Sequence, residues 1–174
     1  MSKWLKCAMV ACTLAVTAAT TVPAAADTFI KLADYKGDAT FKGHEGEVNV
    51  LSWGWSASQA RSSGAAAGRA TVSDLTITKN VDGTTPLLVE ALLTGKVLPN
   101  ATLTVVNTAG DRGATSIRIT LSNVFVSGVT VSPSTTSGGT PVEQISLSFG
   151  AIEYAVTPSR GATVTYKYDA RAGR

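Results

Sequence analysis

Chemistry in this chain would have to start from very few side chains. His44 is the single histidine, and it sits in Gly43-His44-Glu45-Gly46-Glu47, where an imidazole lies next to two carboxylates that could in principle hold a metal ion. The spacing matches no zinc, calcium-loop or phosphate-loop pattern. The expected role of His44 is therefore to shape the turn before a strand at Glu47 or to contact a backbone carbonyl. A serine hydrolase would need His44 as its base, and no Gly-x-Ser-x-Gly elbow is present to offer a nucleophile. Glu143 and Glu153 suggest two-carboxylate glycoside chemistry, yet solvated strand positions account for both. Trp53 and Trp55 share a strand face with Leu51 and could stack on sugars or on a partner, although core packing is the simpler use of such large aromatics. No catalytic, metal or cofactor-binding set emerges, so the reading is of a protein that is not an enzyme and needs no cofactor.

The first 26 residues differ in kind from the rest. Lys3 and Lys6 form a positive start, Cys7 to Val22 is apolar or small, and Ala24-Ala25-Ala26 offers a small-x-small cleavage site. The pattern predicts a signal peptide over 1–26, cleaved before Asp27, and a mature domain over 27–174. Threonines at 13, 17, 20 and 21 dilute the apolar stretch below that of a membrane span, so no stable membrane anchor is expected after cleavage. The mature chain is then periplasmic or extracellular. Both cysteines, Cys7 and Cys12, leave with the leader, which removes disulfides and thiol chemistry together. Lys3 and Lys6 account for two of the 15 basic residues, leaving 13 against 12 acidic ones and a net charge of +1. A balance so near neutral offers no footprint for nucleic acid.

Stepping outward from these residues, the elements that must carry them are mostly strands. Alternating runs occur at Thr28 to Leu32, Glu47 to Ser56, Ala70 to Lys79, Ala101 to Asn107, Thr115 to Val131, Gln144 to Thr157 and Thr163 to Tyr168. Many short runs with Gly, Ser and Pro punctuation indicate a sandwich or barrel. Three runs change phase midway: at Leu51, between Leu121 and Val124, and between Phe149 and Ile152. A one-residue slip turns the apolar set to the other face, so each predicts a bulge or sharp bend and favours a coiled barrel. Ala57 to Arg69 and Ser132 to Pro141 read as flexible loops.

One helix is expected, in Thr85-Pro86-Leu87-Leu88-Val89-Glu90-Ala91-Leu92-Leu93-Thr94-Gly95. Thr85 is the expected cap, Pro86 the first helical residue and Gly95 the stop. About nine residues are too few to persist alone. The apolar arc, roughly 240° wide, exceeds what one buried face requires. Either the helix is sunk in its own core or a second face packs on a neighbouring subunit.

The chain resembles the haemolysin-coregulated protein (Hcp) family, the tube subunits of type VI secretion systems. The resemblance rests on four segments in order: Asp27 to Trp55, Val72 to Lys96, Val142 to Pro158, and Val164 to Arg171. It implies a mainly β fold, a compact β-barrel of two sheets with one short helix at its side. It also implies association in place of catalysis: a homohexameric ring around a lumen, stacking of rings, and effector proteins carried in some lumens. On this resemblance Leu88, Leu92 and Leu93 are candidate contacts to the neighbouring subunit. The segment from Ala57 to Arg69, with Arg61, Ser62, Ser63 and Arg69, falls where the family has its ring-stacking loop. Family members normally lack an export leader. Two readings follow: a type VI tube subunit and possible effector carrier, or an exported ring-forming relative with a binding or structural role outside that machine.

Overall fold

The computed structural model describes residues 26–59, 70–107, 116–133 and 139–172. In chain order these form β1 (Ala26–Leu32), β2 (Val48–Val50), β3 (Ser52–Gly54), β4 (Ala57–Gln59), β5 (Ala70–Val72), β6 (Leu75–Asn80), α1 (Thr85–Thr94), β7 (Val97–Asn107), β8 (Ser116–Ser132), β9 (Val142–Thr157) and β10 (Val164–Asp169). The fold is mainly β, as the alternating runs predict, with one short helix among the described residues. None of the described helical residues forms a helix long and apolar enough to cross a membrane.

The larger sheet has the order β2-β1-β7-β8-β9-β6-β3, and the smaller one pairs β4 with β5. All the named strand pairs are antiparallel. β9 serves two neighbours on one flank: β6 along Val142 to Leu147, and β10 along Ala151 to Val156. The order begins with β2 and ends with β3, yet only Leu51 separates these strands in sequence. The Leu51 amide donates to the carbonyl of Thr78 on β6 at 2.8 Å. One continuous segment therefore supplies both edges and draws the sheet into a barrel. The phase change at Leu51 marks this closure.

Inside, the period-two pattern supplies the core. Ile30 and Leu32 of β1, Leu75 and Ile77 of β6, Leu103 of β7, Ile119 and Leu121 of β8, and Ile145 and Leu147 of β9 are all fully buried. Trp53 and Trp55 are half-buried and pack against this core. Phe29 points the other way and is covered by the segment after β1: the His44 ring stacks on it with centroids 4.6 Å apart and planes 10° apart. His44 Nδ1 lies 2.8 Å from Glu47 Oε2, which fixes the imidazole at the turn leading into β2.

The other phase changes belong together. In β8 and β9 the buried set shifts between Leu121 and Val124 and between Leu147 and Gly150, slightly ahead of the slip expected between Phe149 and Ile152, but the pairing register is unchanged across the shift, from Ser122↔Ala151 to Val126↔Leu147. β7 shifts at the same level, where Leu98 and Ala101 are buried and Pro99 and Asn100 are exposed. Three neighbouring strands thus bend along one line through Pro99, Asn123 and Gly150. Asn123 takes a left-handed backbone, φ 52°, which short polar residues tolerate better than most. A side chain at Gly150 would sit 3.2 Å from the Asn123 Cβ, a tight approach that glycine avoids on the inside of the bend. A register shift does occur between Val126 and Gly128, a place where the apolar pattern gives no warning.

Two expected boundaries move. The loop predicted from Ala57 begins as strand: Ala57, Ser58 and Gln59 pair with Val72, Thr71 and Ala70. The run from Ala70 to Lys79 divides at Ser73-Asp74 into β5 and β6. Of the leader predicted over 1–26, residues 1–25 lie outside the described residues, as do Arg61, Ser62, Ser63 and Arg69, while Ala26 is the first residue of β1.

Candidate functional site

The helix α1 starts beside a buried charged cluster. Lys79 occupies the position after next from Ile77 on β6, so its side chain follows the core face and is fully buried. Its register partner on β9 is Glu143, and Lys79 Nζ lies 2.6 Å from Glu143 Oε1 and 2.7 Å from Asp82 Oδ1. Glu143 is 1% exposed. The expectation that it is a solvated strand residue is therefore corrected: it shares the inward face with Ile145 and Leu147 and is held there by Lys79. Glu143 Oε2 has no hydrogen-bond partner. Glu153 is the more exposed of the two, paired to Lys167 Nζ at 2.7 Å, and the two carboxylates share no cleft.

This cluster sets the first turn of the helix. Thr84, not Thr85, is the cap residue, and its carbonyl accepts from the Leu88 amide at 3.0 Å. Its hydroxyl makes no capping bond to the helix; the Thr84 hydroxyl and amide both donate to Asp82 Oδ1, at 2.5 and 2.8 Å. The Thr85 hydroxyl donates to Glu143 Oε1 at 2.8 Å, across 58 positions of sequence. Burial works to raise the Asp82 pKa, but the hydrogen bonds from Lys79 and Thr84, together with the charge of Lys79, outweigh it and hold the carboxyl below its ordinary value. A carboxylate just ahead of a helix also meets the positive end of the helix dipole.

From this anchored start the helix packs on β8, with Leu88 and Ala91 buried in the core. At its other end Gly95 adopts φ 67°, the left-handed stop expected for it, and the Gly95 and Lys96 amides donate to Leu92 and Ala91 carbonyls. Lys96 then lies over the Tyr35 ring, 5.3 Å from its centroid. The three candidate contact leucines separate here. Leu88 is 0% exposed and has no surface to offer a neighbour; the correction follows from its place on the helix face that meets β8. Leu92 is half-buried. Leu93 is 79% exposed, and beyond the helix stop Val97 is 46% exposed while its cross-strand partner Phe125 is 37% exposed. Leu87, also 37% exposed, was missed by the sequence reading. Among the described residues, the end of the helix and the start of β7 present exposed apolar surface at Leu93, Val97 and Phe125.

The segment from 29 to 156 matches the family model described as "Type VI secretion system effector, Hcp". The chain belongs to the Hcp family. Protein hcp1 of Pseudomonas aeruginosa is 35% identical over 159 residues, which cover 84% of this Hcp chain and 96% of that relative. The crystal structure of Hcp1 from Salmonella typhimurium superposes with a TM-score of 0.71 at 25% identity, covering 85% of this chain and 97% of the other. A type VI secretion system effector from Yersinia pestis shares the fold, with a TM-score of 0.68, 23% identity, and coverage of 82% and 99%. This chain is accordingly a type VI secretion protein of the Hcp kind.

Proposed function

We propose that the protein is a ring-forming structural subunit of a type VI secretion tube, assembling as a homohexamer and carrying effector proteins in the ring lumen. The observation that carries this reading is the apolar surface where α1 hands over to β7: Leu93, Val97 and Phe125, each exposed, on a barrel of the Hcp family. Fully burying one such side chain stabilises by roughly 1.5–3 kcal/mol, so a few of them closed against a neighbouring subunit contribute materially to a ring. The β4–β5 hairpin, which brackets Arg61, Ser62, Ser63 and Arg69, is the arm that meets the next ring in a stack. Negative-stain microscopy and light scattering on the purified protein test the proposal: six-fold rings are expected, and a strict monomer at high concentration overturns it.

One observation favours a second reading. Lys3, Lys6, the apolar stretch to Val22 and Ala24-Ala25-Ala26 follow the pattern of an export leader, and a subunit delivered singly to the periplasm would miss a tube built in the cytoplasm. On that reading the protein is an exported Hcp-like ring with a binding or structural role outside the secretion machine. Cell fractionation with and without a functional type VI apparatus separates the two. Release that depends on the apparatus supports the tube subunit; release that persists without it supports the exported relative.

A further inference from the structure

Away from the helix, the β4–β5 hairpin and the outer end of the β9–β10 pair form the two walls of a cleft of about 230 Å3. On the strand wall, Tyr154 and Tyr166 are cross-strand partners, and the next same-face pair along is Ile152 with Tyr168. The hairpin wall is built from small apolar residues, with Trp55 just before it. The Tyr168 hydroxyl donates to the Ala70 carbonyl at 3.2 Å and ties one wall to the other. Trp55 and Tyr154 have ring centroids 5.9 Å apart, tilted by 50°. Among the described residues lining the cleft, half are aromatic, and none of these carries a charged or amide side chain.

We infer that this cleft binds a quaternary ammonium group, enclosed by the rings of Trp55, Tyr154, Tyr166 and Tyr168. Aromatic faces are electron-rich and attract a cation, most strongly when it has left water. The rest of the lining decides which cation. A lysine ammonium or a sugar ring would lose hydrogen bonds to water on entering, and replacing them takes carboxylates, amides or free carbonyls. Among the described lining residues the side chains offer only tyrosine hydroxyls, one of them already bonded to Ala70, and the Trp55 indole N–H. A quaternary nitrogen has no N–H to satisfy, so its desolvation costs less than that of a lysine ammonium, and the π faces complement its charge where a neutral sugar would gain no such attraction. The volume lies below that of drug-sized pockets, typically about 300–1,000 Å3, and suits one compact headgroup. None of these residues belongs to the helix-side surface, but one wall is the β4–β5 hairpin proposed above to meet the next ring, so the cleft is tested on unstacked protein.

Calorimetric titration of the purified protein with choline and with 3,3-dimethylbutan-1-ol, its neutral isostere, tests the charge and the shape separately. Saturable choline binding is expected, with the isostere weaker by about fivefold or more. Tyr166 is 66% exposed, so Tyr166→Ala should leave the circular dichroism unchanged and weaken choline by a similar factor. Trp55→Phe, which keeps a ring, should retain most of the affinity that Trp55→Leu loses. Equal binding of the isostere would mean an apolar cleft with no preference for charge. That result, tighter binding of N-acetylglucosamine or of ammonium ion, or no saturation by about 50 mM choline, would overturn the assignment.

Discussion

The two ends of α1 are built in opposite ways. At its start, Lys79, Asp82, Thr84, Thr85 and Glu143 form a connected polar cluster that ties the helix to β6 and β9. At its finish, the chain stops on Gly95 and leaves Leu93 79% exposed, with Val97 and Phe125 beyond it. The first end is satisfied within the subunit, apart from one oxygen of Glu143. The second has apolar surface that is left exposed among the described residues. The helix is thus fixed at one end and exposed at the other, so if the proposed ring contact lies at the exposed end, mutations at the two ends should separate stability from assembly.

The largest stability effect is expected at the start. Lys79→Ala leaves Glu143 and Asp82 buried without their cation and should cost about 3–5 kcal/mol in denaturant unfolding. Replacing Lys79 and Glu143 together by Met and Leu should recover most of that loss, since a buried pair often does no better than apolar residues of similar volume. If the double replacement is as damaging as Lys79→Ala, the cluster contributes more than mutual neutralisation. A smaller effect is expected from Asp82. Its folded-state pKa lies below the ordinary 3.8, so the stabilisation it supplies is present above that pH and is lost as pH falls through the folded value. Asp82→Asn should therefore lower the Tm near neutrality, and the gap to the unaltered protein should close in acid. A gap that stays constant with pH would point to hydrogen bonding without charge. The smallest stability effect belongs to the far end: Leu93→Asp should change unfolding by no more than about 0.5 kcal/mol while abolishing rings in microscopy. Rings that survive it would place the subunit contact elsewhere.

Much of this arrangement can be read from local pattern. Period-two alternation finds the long strands, and Thr-Thr-Pro followed nine residues after the proline by Gly95 finds the helix. Where reading fails, the cause is distant in sequence. Thr85 is the natural cap by spacing, but its hydroxyl is engaged by Glu143, and the start moves to Thr84. The burial of Lys79 and Glu143 does have a signal: each continues the phase of a buried pair, Leu75 and Ile77 in one case and Ile145 and Leu147 in the other. Charge argues against the core so strongly that only the register pairing of the two strands reveals the exception. The slips in β8 and β9 are visible in each strand separately. That they form one crease through Pro99 depends on which strands are neighbours, and no single run contains that information. The exposed end of the helix is the reverse case: six apolar residues look alike by type, and only the position of β8 sorts Leu88 from Leu93.

The single-residue passage through Leu51 has a consequence for the subunit before it meets any partner. Exposed strand flanks are templates on which foreign chains pair and aggregate. Here both rims of the main sheet are short and belong to one bent segment, held across the gap by the Leu51–Thr78 bond. Among the described strands, the longer open flank is that of β10, whose only partner is β9. That flank carries Lys167, 75% exposed and paired with Glu153, and charge at such a margin discourages indiscriminate pairing. Short, bent and charged margins of this kind would keep the free subunit from pairing indiscriminately through its sheet edges while leaving the exposed apolar residues at the end of α1 available for the proposed ring contact.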